Sequence, residues 1–295
     1  MHMRTVQTLA ILVGLTVAAH AQTGPRTGGP APGDFKGTRA AVDLSLTGNL
    51  ARGVSDRDLV AFRGALTFWT GPIGVFIQPY FLYGDVKLGA MPRVQTDDER
   101  YLRALVYYTF SEPFFVYGVT ALDASLRRKI DKRVLAGGGI GLTAVHRPDI
   151  TFLAALGVFL FERAYYEANP MAMPPVPETQ RNVVRTSLRL YGRYSLGGHL
   201  NFVHDVYLIP AIRDLTNDKN FSDLRAMASG VLEVPIVKGF AGRVAVDWTY
   251  EGYTVPGTEE HDLAITFGVS YKNDWTLDEP PPPPPSASDP PKETR

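Results

Sequence analysis

Between about residues 38 and 275, apolar and polar side chains alternate with a period of two, and this alternation constrains the fold more than any other feature. In the stretch DLAITFGVSY at 262–271, for example, Leu263 and Ile265 fall on one side and Thr266 falls on the other. Strict alternation is typical of β-strands that have one apolar and one polar face. The sequence therefore predicts an all-β protein.

The alternating pattern divides into twelve segments, separated by connections of two lengths. The predicted strands lie at about 38–50, 58–69, 72–84, 100–110, 113–123, 132–145, 149–165, 182–195, 199–209, 221–234, 239–251 and 260–274. Short turns are predicted at 70–71, 111–112, 146–148, 196–198 and 235–239. Long polar loops are predicted at 51–57, 85–99, 124–131, 166–181, 210–220 and 252–259. Connections that alternate in this way predict an up-and-down meander with two different ends.

The side on which the apolar faces lie decides the architecture. A soluble sandwich would turn them inward, whereas an exported transmembrane barrel turns them outward to lipid. Aromatic residues near the segment ends match the two interfacial girdles of such a barrel. They are Trp69, Phe110, Phe114, Tyr194 and Tyr271 beside short turns, and Tyr80, Tyr83, Tyr101, Tyr165, Tyr250 and Tyr253 beside long loops. We therefore predict a transmembrane up-and-down antiparallel β-barrel of about twelve strands, formed by residues 38–275.

Three stretches of the predicted barrel need a separate interpretation. Residues 150–161 are apolar on both faces, so that alternation does not assign them. Pro79 lies inside a predicted strand and cannot donate a ladder hydrogen bond, so we expect a β-bulge there. Gly137–Gly141 (GGGIG) lacks the spacing and the lysine of a phosphate-binding loop. We interpret these glycines as positions that let the barrel wall bend and leave space in the lumen.

The residues before the barrel have the features of an export signal. Arg4 is followed by the apolar stretch 9–18 and by the small-x-small sequence Ala19–Ala21, so residues 1–21 are predicted to be a cleaved secretory signal peptide. A membrane anchor is the alternative, but about ten apolar residues are too few to span a bilayer. Residues 22–37 are rich in glycine and proline and are predicted to form a flexible leader.

A proline-rich segment follows the last predicted strand. Residues 276–295 hold six consecutive prolines, Pro280–Pro285, which favour a polyproline II rod and cannot join a sheet. We predict a disordered periplasmic tail. The alternative is that the tail acts as a spacer or as a docking ligand for a periplasmic partner.

Composition excludes several classes of function. Equal numbers of basic and acidic residues, 30 of each, leave no basic surface for nucleic acid. The absence of cysteine excludes disulfides, cysteine-ligated metal sites and thiol nucleophiles. A mean hydropathy of −0.06 is too low for a bundle of membrane helices.

Five short motifs occur in order along the predicted barrel. They are Leu44–Asn49 (LSLTGN), Arg133 before Gly137–Gly141, Phe161–Arg163 (FER), Val206–Leu215 (VYLIPAIRDL), and Asp262 before Gly268–Tyr271 (GVSY). Together they resemble an outer-membrane β-barrel family of unknown function, the salt-induced outer membrane protein type. The resemblance covers residues 38–274. It implies a Gram-negative outer-membrane location, with outer-membrane lipid and the barrel-assembly machinery as partners, and it brings no reaction and no cofactor. Similar proteins usually end on the aromatic residue of the last strand, whereas here 276–295 follow.

The histidines do not form a recognisable catalytic arrangement. Twelve-stranded outer-membrane phospholipases place a histidine and a serine two residues apart on one strand. Here His146, His199, His204 and His261 are followed at that distance by Pro148, Asn201, Val206 and Leu263. We therefore predict no enzyme, no cofactor and no metal site. The alternative is an outer-membrane hydrolase of lipid or peptide with a site in the lumen or at the outer rim. It would require a serine or threonine of a neighbouring strand beside His204.

Charged residues are predicted to line the lumen. Arg185, Arg189 and Arg193 recur every four residues, which places them on one face of a strand. One hypothesis is a cationic ladder that steers anions. The alternative is that the arginines pair with inward acids on other strands and close the lumen. The candidate lumen-lining residues are Arg185, Arg189, Arg193, Asp205, Glu233, Arg243, Asp247 and Glu251.

The number of strands bears on the expected function. A twelve-stranded barrel lies between eight-stranded barrels, which side chains fill, and porins of about 16–18 strands, which have open channels. We expect a monomer with a passive function. It is either a narrow channel for small solutes or ions, or a structural protein of the envelope.

Overall fold

The fold is all-β, as the alternating pattern predicts. The computed structural model describes residues 37–51, 55–88, 91–147, 149–170, 172–216 and 223–277. Its strands are β1 Thr38–Ala51, β2 Ser55–Thr70, β3 Ile73–Leu88, β4 Val94–Ser111, β5 Phe114–Ser125, β6 Ile130–His146, β7 Ile150–Tyr166, β8 Thr179–Leu196, β9 Leu200–Asp214, β10 Leu224–Val237, β11 Phe240–Glu251 and β12 His261–Thr276. The predicted signal peptide 1–21, nearly all of the leader 22–37 and nearly all of the tail 276–295 lie outside the described residues.

The strands close into a single antiparallel barrel, which confirms the predicted fold class. Each strand pairs with the next along the chain, and β1 also pairs with β12. Closure leaves no sheet edge, so that the strands satisfy their backbone hydrogen bonds among themselves, as a membrane interior requires. Thr38 pairs with Thr70, and Arg39 pairs with Thr276. The first and last strands therefore start and finish at the same end of the barrel.

Short and long connections lie at opposite ends, although most of the long ones are shorter than predicted. The strands are separated by 71–72, 112–113, 147–149, 197–199 and 238–239 at the short-turn end, and by 52–54, 89–93, 126–129, 167–178, 215–223 and 252–260 at the long-loop end. The predicted loop 85–99 is mostly strand, because Tyr83 pairs with Asp98 and Gly84 pairs with Asp97. Polar side chains continue the ladder at this end and therefore resemble a loop in sequence.

The outer surface of the barrel is apolar and the inner surface is largely polar. On β12, Leu263, Ile265 and Phe267 are exposed, whereas the alternating Asp262 and Thr266 are buried. The other strands repeat this arrangement, with exposed leucine, isoleucine, valine and phenylalanine on the outside. An apolar outer band around a polar interior is the arrangement of a barrel that faces lipid.

In the part of the chain that the structure describes, no helix is long and apolar enough to cross a membrane.

A β-bulge explains why alternation does not assign residues 150–161. Gly157 pairs with Ser187, but Leu160 pairs with Arg185, so β7 contains one extra residue. Val158 and Phe159 are both exposed. Because of the extra residue, odd-numbered residues face inward before the bulge, whereas even-numbered residues face inward after it. A segment that changes phase does not show one consistent alternation.

The bulge predicted at Pro79 is wrong. The β2–β3 register is the same on both sides of this proline, since Arg63 pairs with Tyr80 and Leu66 pairs with Ile77. Pro79 also pairs with Leu102 in a continuous β3–β4 register. Two residue pairs of the β2–β3 ladder are missing at this point, but neither strand contains an extra residue. The proline therefore removes a hydrogen bond without changing the register.

Part of the predicted aromatic girdle is also wrong. Phe110, Phe114 and Tyr83 are exposed on the outer surface, but Trp69 and Tyr80 are only 2% and 1% exposed, respectively, inside the barrel. Trp69 fits inside because Gly74 lies beside it on β3. A Cβ atom at that glycine would lie 2.2 Å from the indole ring. Proximity to a strand end therefore did not indicate which face these aromatic residues occupy.

Candidate functional site

The interior of the barrel is occupied by side chains, and an apolar cluster fills its short-turn end. Tyr107 stacks on Trp69 with the ring centroids 5.9 Å apart, and meets Phe115 edge-on at 5.7 Å. The strands β2–β5 and β7–β11 all contribute, so that opposite walls of the barrel meet in one core. The interior aromatic cluster consists of Trp69, Phe76, Leu105, Tyr107, Phe115, Leu153, Ala155, Tyr191, Val203, Val231 and Ala245.

Glycines on β6 make room for part of this cluster. A Cβ atom on Gly141 would lie 2.1 Å from the Phe115 ring, so the ring packs directly on the glycine backbone. At Gly137 and Gly139, an added Cβ atom would lie 2.0 Å from a carbonyl oxygen of β7, next to the bulge of that strand. Close approach therefore requires glycine at these three positions.

Two of the three predicted lumen arginines of β8 are paired with carboxylates of other strands and of a connection. The Nε and Nη2 of Arg189 donate to the two carboxylate oxygens of Asp205, at 2.9 and 3.0 Å. The Nη2 of Arg185 donates to Asp223 at 2.6 Å and to Glu162 at 3.1 Å. Arg193 is partly exposed, and its Nη2 lies 3.5 Å from the hydroxyl of Thr151. The structure thus places ion pairs at Arg185 and Arg189.

Glu251 is the centre of a larger network near the long-loop end. Its carboxylate accepts hydrogen bonds from Arg128 at 3.0 Å, Arg133 at 3.1 Å and Arg225 at 3.0 Å. The same Arg128 also donates to Asp262 at 2.7 Å. Arg128 lies between β5 and β6, whereas Glu251 belongs to β11, so the hydrogen bond between these two residues crosses the lumen. Charged side chains therefore constrict the lumen at this level.

The remaining predicted lumen residues also lie buried inside the barrel. Asp247 accepts hydrogen bonds from Arg63 and from the hydroxyl of Ser229. Glu233 accepts a hydrogen bond from Arg243 at 3.2 Å. Arg63 belongs to β2 and Asp247 to β11, which gives a second bridge across the interior.

Sequence reasoning missed several of the arginines that are buried inside the barrel, for two different reasons. Arg63 and Arg103 occupy inward positions of alternating strands, so the period-two pattern contained the signal needed to find them. Arg128 lies in a connection, where no periodicity indicates the direction of a side chain.

A cavity remains between the ion pairs and the interior aromatic cluster. Its volume is about 90 Å³, and it lies against β3–β10. Tyr107, Phe115 and Tyr117 contribute to its apolar wall, and Arg103 and Arg189 contribute to its polar wall. The cavity therefore adjoins both the charged and the apolar parts of the interior.

His204, beside which the alternative hydrolase site is predicted, is surrounded by aromatic rings. It lies on the outward side of β9, among the rings of Phe152, Tyr194 and Phe202, with centroid distances of 5.6–6.4 Å. Within the described ranges, no group of three or more histidines and carboxylates is placed to hold a metal ion.

A family model described as a protein of unknown function, DUF481, matches residues 80–272 of the chain. The chain belongs to this family. The match and the closed barrel together confirm the predicted membership in a β-barrel family of unknown function. No curated protein matches the chain.

Solved structures of barrels are also similar to the chain. The NanC porin has a TM-score of 0.46 at 11% identity, covering 78% of this chain and 98% of its own. The translocator domain of the autotransporter NalP from Neisseria meningitidis has a TM-score of 0.45 at 11% identity, and the match covers 91% of this chain and 97% of that domain. An outer membrane channel from Pseudomonas putida F1 has a TM-score of 0.42 at 12% identity, and the match covers 86% of this chain and 100% of the channel.

Proposed function

We propose that this protein lies in the outer membrane and forms a narrow passive channel for small solutes or ions, which is closed in the conformation described here. Its long loops face the cell exterior, and the ends of the barrel strands β1 and β12 face the periplasm. The observation that carries the proposal is the column of charged side chains inside the barrel, from Arg243 and Glu233 through Arg189 and Asp205 to Glu251.

The free energy of burying these charges supports a channel. Apolar side chains of similar volume would fill a barrel without the desolvation penalty that buried ion pairs carry, and replacing such pairs by apolar residues is often neutral or stabilising. Ionisable side chains inside a membrane protein commonly mark a path for ions or polar solutes. A charged column that stability does not require therefore favours a hydrated path along the barrel axis.

A structural role in the envelope is the second candidate, because the interior aromatic cluster favours it. This cluster joins opposite walls of the barrel at the short-turn end. A channel must displace at least part of it, whereas a structural protein keeps it packed. Tyr107 lies at its centre, in contact with Trp69, Phe115 and Tyr117.

Conductance in planar lipid bilayers tests the channel. We expect small and infrequent openings from the full chain, and a several-fold larger conductance from Tyr107→Ala, because this change removes the centre of the cluster. The matched control is Phe110→Ala, which removes an exposed aromatic side chain from the outer face of the same strand. It should conduct like the parent protein.

Two checks complete this experiment. Each variant should migrate differently on a gel before and after boiling, because a closed barrel resists unfolding by detergent. Silence of both the parent and a folded Tyr107→Ala variant would contradict the channel and favour the structural role.

A further inference from the structure

Arg103 is a buried cation whose hydrogen-bond partners are neutral. It lies on the inward face of β4 and is 5% exposed. Its Nη1 donates to the hydroxyl of Tyr207 at 2.6 Å, and its Nη2 donates to Oε1 of Gln78 at 2.7 Å. Among the described residues, no carboxylate bonds its guanidinium, and its Nε is buried without a hydrogen-bond partner.

The other arginines along the same cavity are paired with carboxylates. Arg189 bonds Asp205, and Arg133 and Arg225 both bond Glu251. A buried charge without a counter-ion is strongly unfavourable, and removing one partner from a buried pair costs about 3–5 kcal/mol. The cavity wall therefore contains a positive charge that an anionic group inside the cavity would complement.

The cavity wall also includes the carboxylates of Glu99 and Asp123, which accept hydrogen bonds from Ser125 and Arg133, respectively. Another part of the wall is suited to an apolar group. Leu105, Tyr107, Phe115, Val119 and Leu160 contribute apolar side chains to it. An apolar cavity of about 150 Å³ holds a benzene molecule. A cavity of about 90 Å³ is smaller, which limits the apolar part of a ligand to a short aliphatic chain.

We propose that this cavity binds a small monocarboxylate with a short aliphatic tail. The carboxylate accepts hydrogen bonds from the guanidinium of Arg103, and the tail lies between Leu105 and Leu160, beside the ring of Phe115. Carboxylate is favoured over a bare inorganic anion because the apolar wall contributes binding only to a ligand that has an apolar part. Binding does not require that the lumen conducts. The binding proposal and the channel proposal can therefore be contradicted separately.

Isothermal titration of the full chain in detergent solution with propionate tests the site. Propionate has one carboxylate and a two-carbon tail, is smaller than benzene and is soluble in water. We expect saturable binding by the parent protein and at least roughly tenfold weaker binding by Arg103→Gln, because a charged hydrogen bond is lost. The matched control, Arg147→Gln, removes an exposed arginine at the short-turn end and should bind as the parent does.

A second variant and two further probes make the result decisive. Ala121→Leu fills the cavity from the β5 side and changes no charged residue, and it should abolish binding even if Arg103→Gln fails to fold. The neutral analogue propanamide should bind at least roughly tenfold more weakly than propionate. Absence of saturable propionate binding to the parent would overturn the proposal. Equal binding by a folded Arg103→Gln or by propanamide would do the same, as would full displacement by equimolar chloride.

Discussion

At the scale of single residues, the interior is organised by pairs of opposite charges that have little access to water. Arg189 and Asp205 form such a pair between the neighbouring strands β8 and β9, with two parallel hydrogen bonds. The guanidinium also contacts the rings of Tyr191 and Tyr207, at 5.3 and 5.2 Å. Two hydrogen bonds and two rings fix the position of this side chain, so its pairing is specific.

Asp205→Asn should lower the free energy of unfolding by about 3–5 kcal/mol, because it leaves the charge of Arg189 buried without a counter-ion. Urea unfolding in lipid vesicles measures the change. The matched control is Asp274→Asn, which breaks an exposed pair with Arg39 and should cost no more than about 1 kcal/mol. Equal losses in the two variants would show that burial does not determine the strength of these pairs.

At the scale of elements, the bulge in β7 determines which side chains of that strand face the interior. Before it, Thr151 and Leu153 point inward at odd positions, and after it Leu160 and Glu162 point inward at even positions. The bulge therefore brings Glu162 to Arg185 and Arg225, at 3.1 and 2.9 Å. If the same residues formed a regular strand without a bulge, this carboxylate would point toward lipid.

Deletion of Val158 should preserve the barrel, because it removes the extra residue and leaves the same side chains inward on both sides of the bulge. Insertion of one alanine between Phe161 and Glu162 should prevent folding, because it turns Glu162 to the lipid face. The change in gel mobility on boiling reports the folded barrel in each variant. Loss of this change in the Val158 deletion, or its retention in the alanine insertion, would contradict the assigned bulge.

At the scale of the whole molecule, the barrel has two chemically different ends. The short-turn end holds the interior aromatic cluster, whereas the long-loop end holds the network around Glu251. A smaller apolar cluster lies in the long-loop region, where Tyr166 packs edge-on against Tyr253 and Arg181 lies 3.8 Å from the Tyr253 ring centre. Both ends of the lumen are thus narrowed, and the cavity lies between them.

The absence of cysteine allows a clean test of the orientation in the membrane. Glu259→Cys places a thiol in the long loop 252–260, and Lys238→Cys places one in the short turn 238–239. A maleimide attached to a large polyethylene glycol should label intact cells only in the Glu259→Cys variant, because the outer membrane excludes the reagent. Labelling of Lys238→Cys alone would show the opposite orientation.

The period-two pattern predicted the twelve strands and most of the inward positions, because successive side chains of a strand point to opposite faces. It placed Arg185, Arg189 and Asp205 on inward faces without information about their neighbours. It failed where the backbone departs from a regular strand, as at Val158, and where a loop side chain such as Arg128 enters the interior. At those positions local sequence does not determine the direction of the side chain.

The sequence alone determined that this chain forms an up-and-down barrel with an apolar outside and a charged inside. Only the tertiary structure decided which charges meet, because the partners of Glu251 come from β6, from β10 and from a connection on the other side of the lumen. It also decided that Arg103 has neutral partners. Pairing inside a closed barrel depends on distances across the lumen, which are set by closure of the sheet and not by the alternation along any one strand.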